Sequence, residues 1–149
     1  MTRMIALVIG SLMLLGGGCV EAGRRSEPVS PPETRQRLVV PPDTKREARA
    51  VMRQHLESVQ QIVAALARED FEQAQGLTET HLGFFMHRQA MQKQRPEDFP
   101  PAYHDLAMAH HEAAEDLART MPSRDLKQIL PKLDSVLKAC VACHNAYRL

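Results

Sequence analysis

Two cysteines and a histidine stand close together near the end of the chain, in the segment KACVACHNAYRL. Cys140 and Cys143 are three residues apart, and His144 follows directly. Three kinds of chemistry use such a CxxCH string: covalent attachment of haem, half of a zinc site, and a redox-active dithiol. The other residues of the chain decide which of these three chemistries is supported.

The dithiol and zinc interpretations lack the partners that they need. A thioredoxin-like dithiol belongs to a βαβ unit, which this sequence does not predict. Structural zinc needs a complete tetrahedral set of ligands, and although His110 or His111 could contribute, the sequence has no second CxxC and no HxxxH pair. Haem attachment uses the whole string, because two thiols add to two vinyl groups and the adjacent imidazole becomes an axial ligand of the iron. The sequence therefore favours covalent haem.

Composition predicts that helices position these residues. The chain has 149 residues, of which 44% are hydrophobic and only 4% are aromatic. Abundant Ala, Leu, Gln, Glu and Met favour helix over sheet, so we expect an all-α fold. The formal net charge of +1 supports neither nucleic-acid binding nor a polybasic membrane patch.

Four stretches carry apolar residues at spacings of three and four, the mark of amphipathic helices. On the last of them Cys140 and His144 continue the apolar stripe, which predicts that the motif faces the interior; Pro131 is expected to kink or restart this helix. Short connections favour an antiparallel up-down four-helix bundle with one shared core. The predicted helices are Thr44 to Arg68, Phe71 to about Gln94, Tyr103 to Met121, and Leu126 to Tyr147.

Residues 1–19 are predicted to form an export signal. Arg3 precedes an apolar run from Met4 to Leu15 that is short for a membrane span, and Cys19 follows three glycines. This arrangement resembles a bacterial lipoprotein signal, which places the mature protein in the periplasm, anchored by lipid on Cys19. Ordinary cleavage after the segment VEA remains the alternative and would make Gly23 the first residue.

Residues 20–43 are predicted to be a disordered tether, because they are rich in proline and lack apolar periodicity. The predicted folded domain is residues 44–149. A lipid at one end of such a tether would hold that domain near the membrane without inserting it.

The segment CVACHNAYR at the end of a four-helix, Met-rich chain resembles the class II c-type cytochromes, which include cytochrome c prime and its low-spin relatives. The resemblance covers Lys45 to Leu149. It implies one haem c per chain, attached through Cys140 and Cys143, with His144 as the proximal iron ligand. It also implies that Arg148 lies close to that ligand, where its guanidinium could pair with a haem propionate.

The distal side of the haem decides the predicted function. The resemblance implies that the distal residue comes from the first helix, where Met52, His55 and Leu56 share a face. Met52 looks like the sixth ligand of the low-spin branch, with His55 as the alternative. A six-coordinate haem predicts an electron carrier that serves redox proteins of a respiratory or similar chain, and not an enzyme.

An apolar distal residue would instead leave the iron five-coordinate. That arrangement is typical of the cytochrome c prime branch, which binds nitric oxide or carbon monoxide. The resemblance also implies a homodimer formed through the first two helices.

Overall fold

The computed structural model describes residues 32–93 and 95–149, and this part of the chain is mostly helical. The predicted all-α class is confirmed. Within these residues no helix is both long and apolar enough to cross a bilayer. The predicted export signal, Cys19 and the first part of the tether lie outside the described residues. The elements are α1 (Pro42–Ala67), α2 (Phe71–His81), α3 (Phe84–Lys93), α4 (Pro101–Thr120) and α5 (Leu126–Ala146), with short strands β1 (Gln36–Arg37) and β2 (Tyr147–Arg148).

The hydrophobic core forms where α4 packs against α5 and α2, and where α1 packs against α2. Helices α1, α2, α4 and α5 contribute apolar side chains at helical spacing, and burying them supplies the main stabilisation of the fold. The largest fully buried apolar side chains are Ile62, Leu82, Leu117, Met121, Ile129 and Val136.

The second predicted helix is divided into α2 and α3 at Leu82 and Gly83. A Cβ at Gly83 would lie 2.5 Å from Glu115 Oε1 and 3.0 Å from the Glu79 carbonyl oxygen. That same Glu115 oxygen accepts a hydrogen bond from the Phe84 amide at 3.0 Å, so a carboxylate of α4 caps the start of α3. The tertiary contact with α4 therefore explains a break that helical periodicity did not predict.

Helix α1 presents part of its predicted apolar stripe to solvent. Leu56 is 71% exposed and Val63 is 47% exposed, although the stripe predicts both as inward-facing. Leu56 lines the cavity beside α5, because α1 and α5 are not among the closely packed helix pairs of the described chain. Helix α5 runs without interruption through Pro131, so the helix does not restart there.

The compact unit that contains the helices runs from Glu33 to Leu149 and so begins before the predicted boundary between residues 43 and 44. Strand β1 pairs in parallel with β2, with Gln36 opposite Tyr147 and Arg37 opposite Arg148. Leu38, directly after β1, is buried. Strand pairing and apolar burial thus hold in place the last part of the segment that the sequence predicts to be a tether.

Candidate functional site

The CxxCH motif occupies the last two turns of α5. Both thiols are free and half-buried, and burial raises the pKa of each. Cys140 Sγ lies 3.6 Å from His110 Nδ1 on α4. Because residues three and four apart share one face of a helix, both cysteines and His144 line the same space.

That space is a cavity of about 480 Å³ between α1, α3, α4 and α5, within the roughly 300–1,000 Å³ typical of ligand sites. Its wall is mostly apolar. The apolar lining residues are Ala48, Val51, Met52, Leu56, Val59, Met86, Ala90, Met91, Pro96, Phe99, Leu106, Ala107, Leu137 and Ala139. The others are Arg53, His55, His87, Arg95, Tyr103, His104, His110, His111, Cys140, Cys143 and His144.

Five of the six sequence-predicted site residues therefore share one cavity. Met52 and His55 come from α1, and Cys140, Cys143 and His144 come from α5. The two groups are more than eighty residues apart in sequence. Only the tertiary fold brings them to a common cavity.

Arg148 is the sixth predicted residue, and it does not line the cavity. Helix α5 ends at Ala146, and Arg148 continues as extended chain in β2. Its Nε lies 3.8 Å from a carboxylate oxygen of Glu33. The sequence predicted a helix to Tyr147, whereas in the structure Tyr147 and Arg148 are extended and pair with β1.

A group of touching imidazoles forms one wall of the cavity, and residue spacing did not predict it. The ring centroids of His55 and His110 are 5.2 Å apart, those of His110 and His111 are 5.0 Å apart, and those of His111 and His87 are 4.8 Å apart. These rings come from α1, α3 and α4. The available signal was the adjacent pair His110 and His111 on an apolar helix, but periodicity alone does not reveal which other rings meet it.

Burial keeps the inner imidazoles neutral at pH 7. It lowers the pKa of His110 to about 3, with smaller contributions from the charges of His55 and His111. It also lowers the pKa of His55 to about 4, with contributions from His111, His81 and His144. The Nε2 atoms of His55 and His110 are buried and have no hydrogen-bond partner among the residues that the structure describes. A neutral imidazole can accept a hydrogen bond or bind a metal ion.

Two other polar groups of the wall are anchored by the fold. His111 donates from Nδ1 to the Leu82 carbonyl oxygen at 2.7 Å, at the break between α2 and α3. Tyr103 stacks on Phe99, and burial, with a smaller effect of Cys143, raises the pKa of its hydroxyl to about 12. The phenol therefore stays protonated at neutral pH.

Among the described residues, the side chains do not by themselves assemble a metal-binding group. Over residues 32–93 and 95–149, no three His, Cys, Asp or Glu side chains converge so as to hold a metal ion. The motif thus has no ready set of zinc ligands in the described chain. No protein-family model, curated protein or solved structure matches this chain.

Proposed function

We propose that the protein is a c-type cytochrome that carries electrons through one haem c, held covalently by Cys140 and Cys143, with His144 as an axial ligand. The observation that carries the proposal is the common cavity of the CxxCH motif and the Met52–His55 face of α1. A haem needs attachment and one axial ligand from one wall, and either a second ligand or an open position from the opposite wall.

The lining residues fit a haem in both chemistry and size. The wall is mostly apolar, as the faces of a porphyrin require, and the volume of about 480 Å³ suits a ligand of that class. Arg53 also lines the cavity and brings a guanidinium group suited to carboxylates such as the propionates, whereas the guanidinium of Arg95, another lining residue, pairs with Asp98 at 2.9 Å. The bound haem would supply the one-electron chemistry.

The chain itself would attach, orient and shield that group. Each thiol would add across a vinyl double bond, with its sulfur bonded to one carbon and its proton transferred to the other, so attachment involves no net oxidation. From α1, Met52 offers a thioether and His55 a neutral imidazole to the same cavity, and we propose Met52 as the sixth ligand. The apolar lining would exclude water from the faces of the ring.

Haem staining after denaturing electrophoresis tests covalent attachment. We expect a stained band of wild-type size after co-expression with the cytochrome maturation machinery, with the stain resistant to acid acetone. The double variant Cys140→Ser/Cys143→Ser should lose it. The control Ala142→Ser changes an exposed position between the two cysteines and should keep the stain. An unmodified wild-type polypeptide mass would refute the proposal.

Optical spectra of the oxidised and reduced protein test electron transfer against gas binding. Ligation by Met52 predicts a low-spin spectrum with a weak sulfur-to-iron band in the far red, lost in Met52→Ala and kept in His55→Ala. Loss of the low-spin form only in His55→Ala would identify His55, and not Met52, as the sixth ligand. A high-spin wild-type ferrous form that binds carbon monoxide readily would instead identify a gas-binding protein with an open distal face.

The proposed location is the periplasm, with lipidated Cys19 as a membrane anchor. The proposed partners are redox proteins of a respiratory or similar electron-transfer chain, and a second copy of the chain in a homodimer. The export-signal pattern supports the location. The partners follow from the carrier role and from the resemblance to class II cytochromes.

A further inference from the structure

Residues 33–41, here called the strap, bind the chain directly after the CxxCH motif. The Leu38 amide donates a hydrogen bond to the Arg148 carbonyl oxygen at 2.8 Å, which extends the pairing of β1 with β2. Leu38 is 6% exposed, so its side chain is held in the protein interior. The Glu33 carboxylate lies 3.8 Å from Arg148 Nε and adds an ion pair at the same end.

Through this pairing the strap is connected to the last turn of α5, which carries the proposed axial ligand His144. The Tyr147 amide, opposite Gln36 in the strand pair, donates to the Cys143 carbonyl oxygen and closes the last turn of α5. His144 lies within that turn. The Tyr147 ring also meets the Tyr103 ring, which lines the cavity, at a centroid distance of 5.7 Å.

Helix ends are among the parts of a fold that open most easily. His144 is two residues from Ala146, the last residue of α5, so its turn would fray without an external restraint. A two-stranded pair alone is marginal in water, and the burial of Leu38 supplies the apolar contact that such a pair needs. The strap provides both the backbone bonds and the buried side chain.

We propose that Leu38 is a positioning residue for His144: by anchoring the strap to β2 it holds the last turn of α5 in the orientation that the axial imidazole requires. The inference rests on the proposed haem attachment. The contacts that carry the effect are the backbone pairing of the strap with Tyr147 and Arg148 and the hydrogen bond from the Leu38 amide to the Arg148 carbonyl oxygen.

The variant Leu38→Asp tests this role, with Val39→Asp as its matched control. Val39 is 90% exposed, so the same charge at the next residue should leave the strap in place. Leu38→Met keeps an apolar side chain of similar volume and should restore wild-type behaviour. All measurements use the full-length protein with haem attached.

The first measurement is hydrogen exchange of the peptide that covers residues 141–149. We expect Leu38→Asp to lose the protection of this peptide, and Val39→Asp and Leu38→Met to retain it. The second is the electron paramagnetic resonance spectrum of the frozen ferric protein, which senses the orientation of the axial imidazole. Here Leu38→Asp should broaden or split the signal, while the other two variants keep the wild-type spectrum.

These results separate the two proposals. A stained, covalently bound haem in Leu38→Asp together with wild-type exchange and resonance spectra would overturn the role of the strap and leave the cytochrome proposal intact. Lost protection with an unchanged resonance spectrum would also overturn it, because the strap would then serve stability alone. Absence of covalent haem from the wild type would overturn both proposals.

Discussion

The pKa of an individual histidine depends on how deeply the fold buries its imidazole. His110 is buried beside His55 and His111, and its pKa is about 3, whereas an imidazole in an unfolded chain has a pKa of about 6.5. Unfolding would expose His110 to water, where it gains a proton at any pH between these two values. Residue type alone reveals neither the burial nor its effect on charge.

We expect the free energy of unfolding to depend on pH through His110. The folded-state pKa of His110 is depressed, so below pH 6.5 the unfolded chain binds more protons and the free energy of unfolding falls as pH falls toward 3. From pH 7 to pH 5 we expect His110 to account for a loss on the order of 2 kcal/mol. Urea unfolding at both pH values measures it.

The variant His110→Leu should remove this part of the pH dependence, because Leu has no proton to gain. The control Met108→Leu changes an exposed residue of the same helix and should keep the wild-type dependence. An equal loss of stability in wild type and His110→Leu would show that His110 is not the group responsible.

At the scale of secondary structure, the position where a helix begins is set in some cases by a local capping residue and in others by a residue of another helix. Asp70 accepts a hydrogen bond from the Gln73 amide and Asp125 from the Lys127 amide, so α2 and α5 begin at caps that the sequence already contains. Helix α3 instead begins where Glu115 of α4 accepts from Phe84. This junction is sensitive because the carboxylate leaves no space beside Gly83.

Substituting the two glycines of this region by alanine should have opposite effects. Gly83→Ala should lower the free energy of unfolding by about 1–3 kcal/mol, because the new methyl displaces Glu115 from the Phe84 amide and crowds the Glu79 carbonyl. Gly76 lies in α2, and a Cβ added there would meet no atom within 4 Å, so Gly76→Ala should raise the free energy of unfolding by about 0.5–1 kcal/mol. Denaturant unfolding of both variants measures the two effects.

Combining Gly83→Ala with Glu115→Ala gives a control for the mechanism. If the clash with the carboxylate is the cause, the glycine substitution should cost less in the Glu115→Ala background than in the wild type. Equal costs in the two backgrounds would attribute the effect to the Glu79 carbonyl alone.

In the molecule as a whole, the strap joins the N-terminal segment to the turn that carries His144. The thirteen residues from Val20 to Pro32 separate Cys19 from the compact unit. At full extension they would span at most about 45 Å, which limits how far a lipid on Cys19 would let the folded unit move from a membrane.

We expect the mature protein to begin at Cys19 and to carry lipid there. Mass spectrometry of the N-terminal peptide checks this, and Cys19→Ala should abolish the added mass and release the protein from the membrane fraction. The control Ser26→Ala lies in the same segment and should change neither result. A mature chain that begins at Gly23 would contradict the anchor and indicate ordinary cleavage.

The spacing of residues along the chain was enough to predict where single helices lie and which residues share a face of the same helix. Helical periodicity predicted the all-α class and located α1, α4 and α5 to within a few residues, because each helix buries one face. The same spacing predicted that Cys140, Cys143 and His144 share a side of α5 and that Met52 and His55 share a side of α1.

The tertiary structure alone decided how these faces meet. Helices α1 and α5 stand apart around a cavity, and imidazoles from α3 and α4 complete its wall. The helical break at Gly83 and the turn of Arg148 toward the strap both depend on atoms more than thirty residues distant. Such contacts leave no periodic trace in the chain, since they arise only when separate elements pack together.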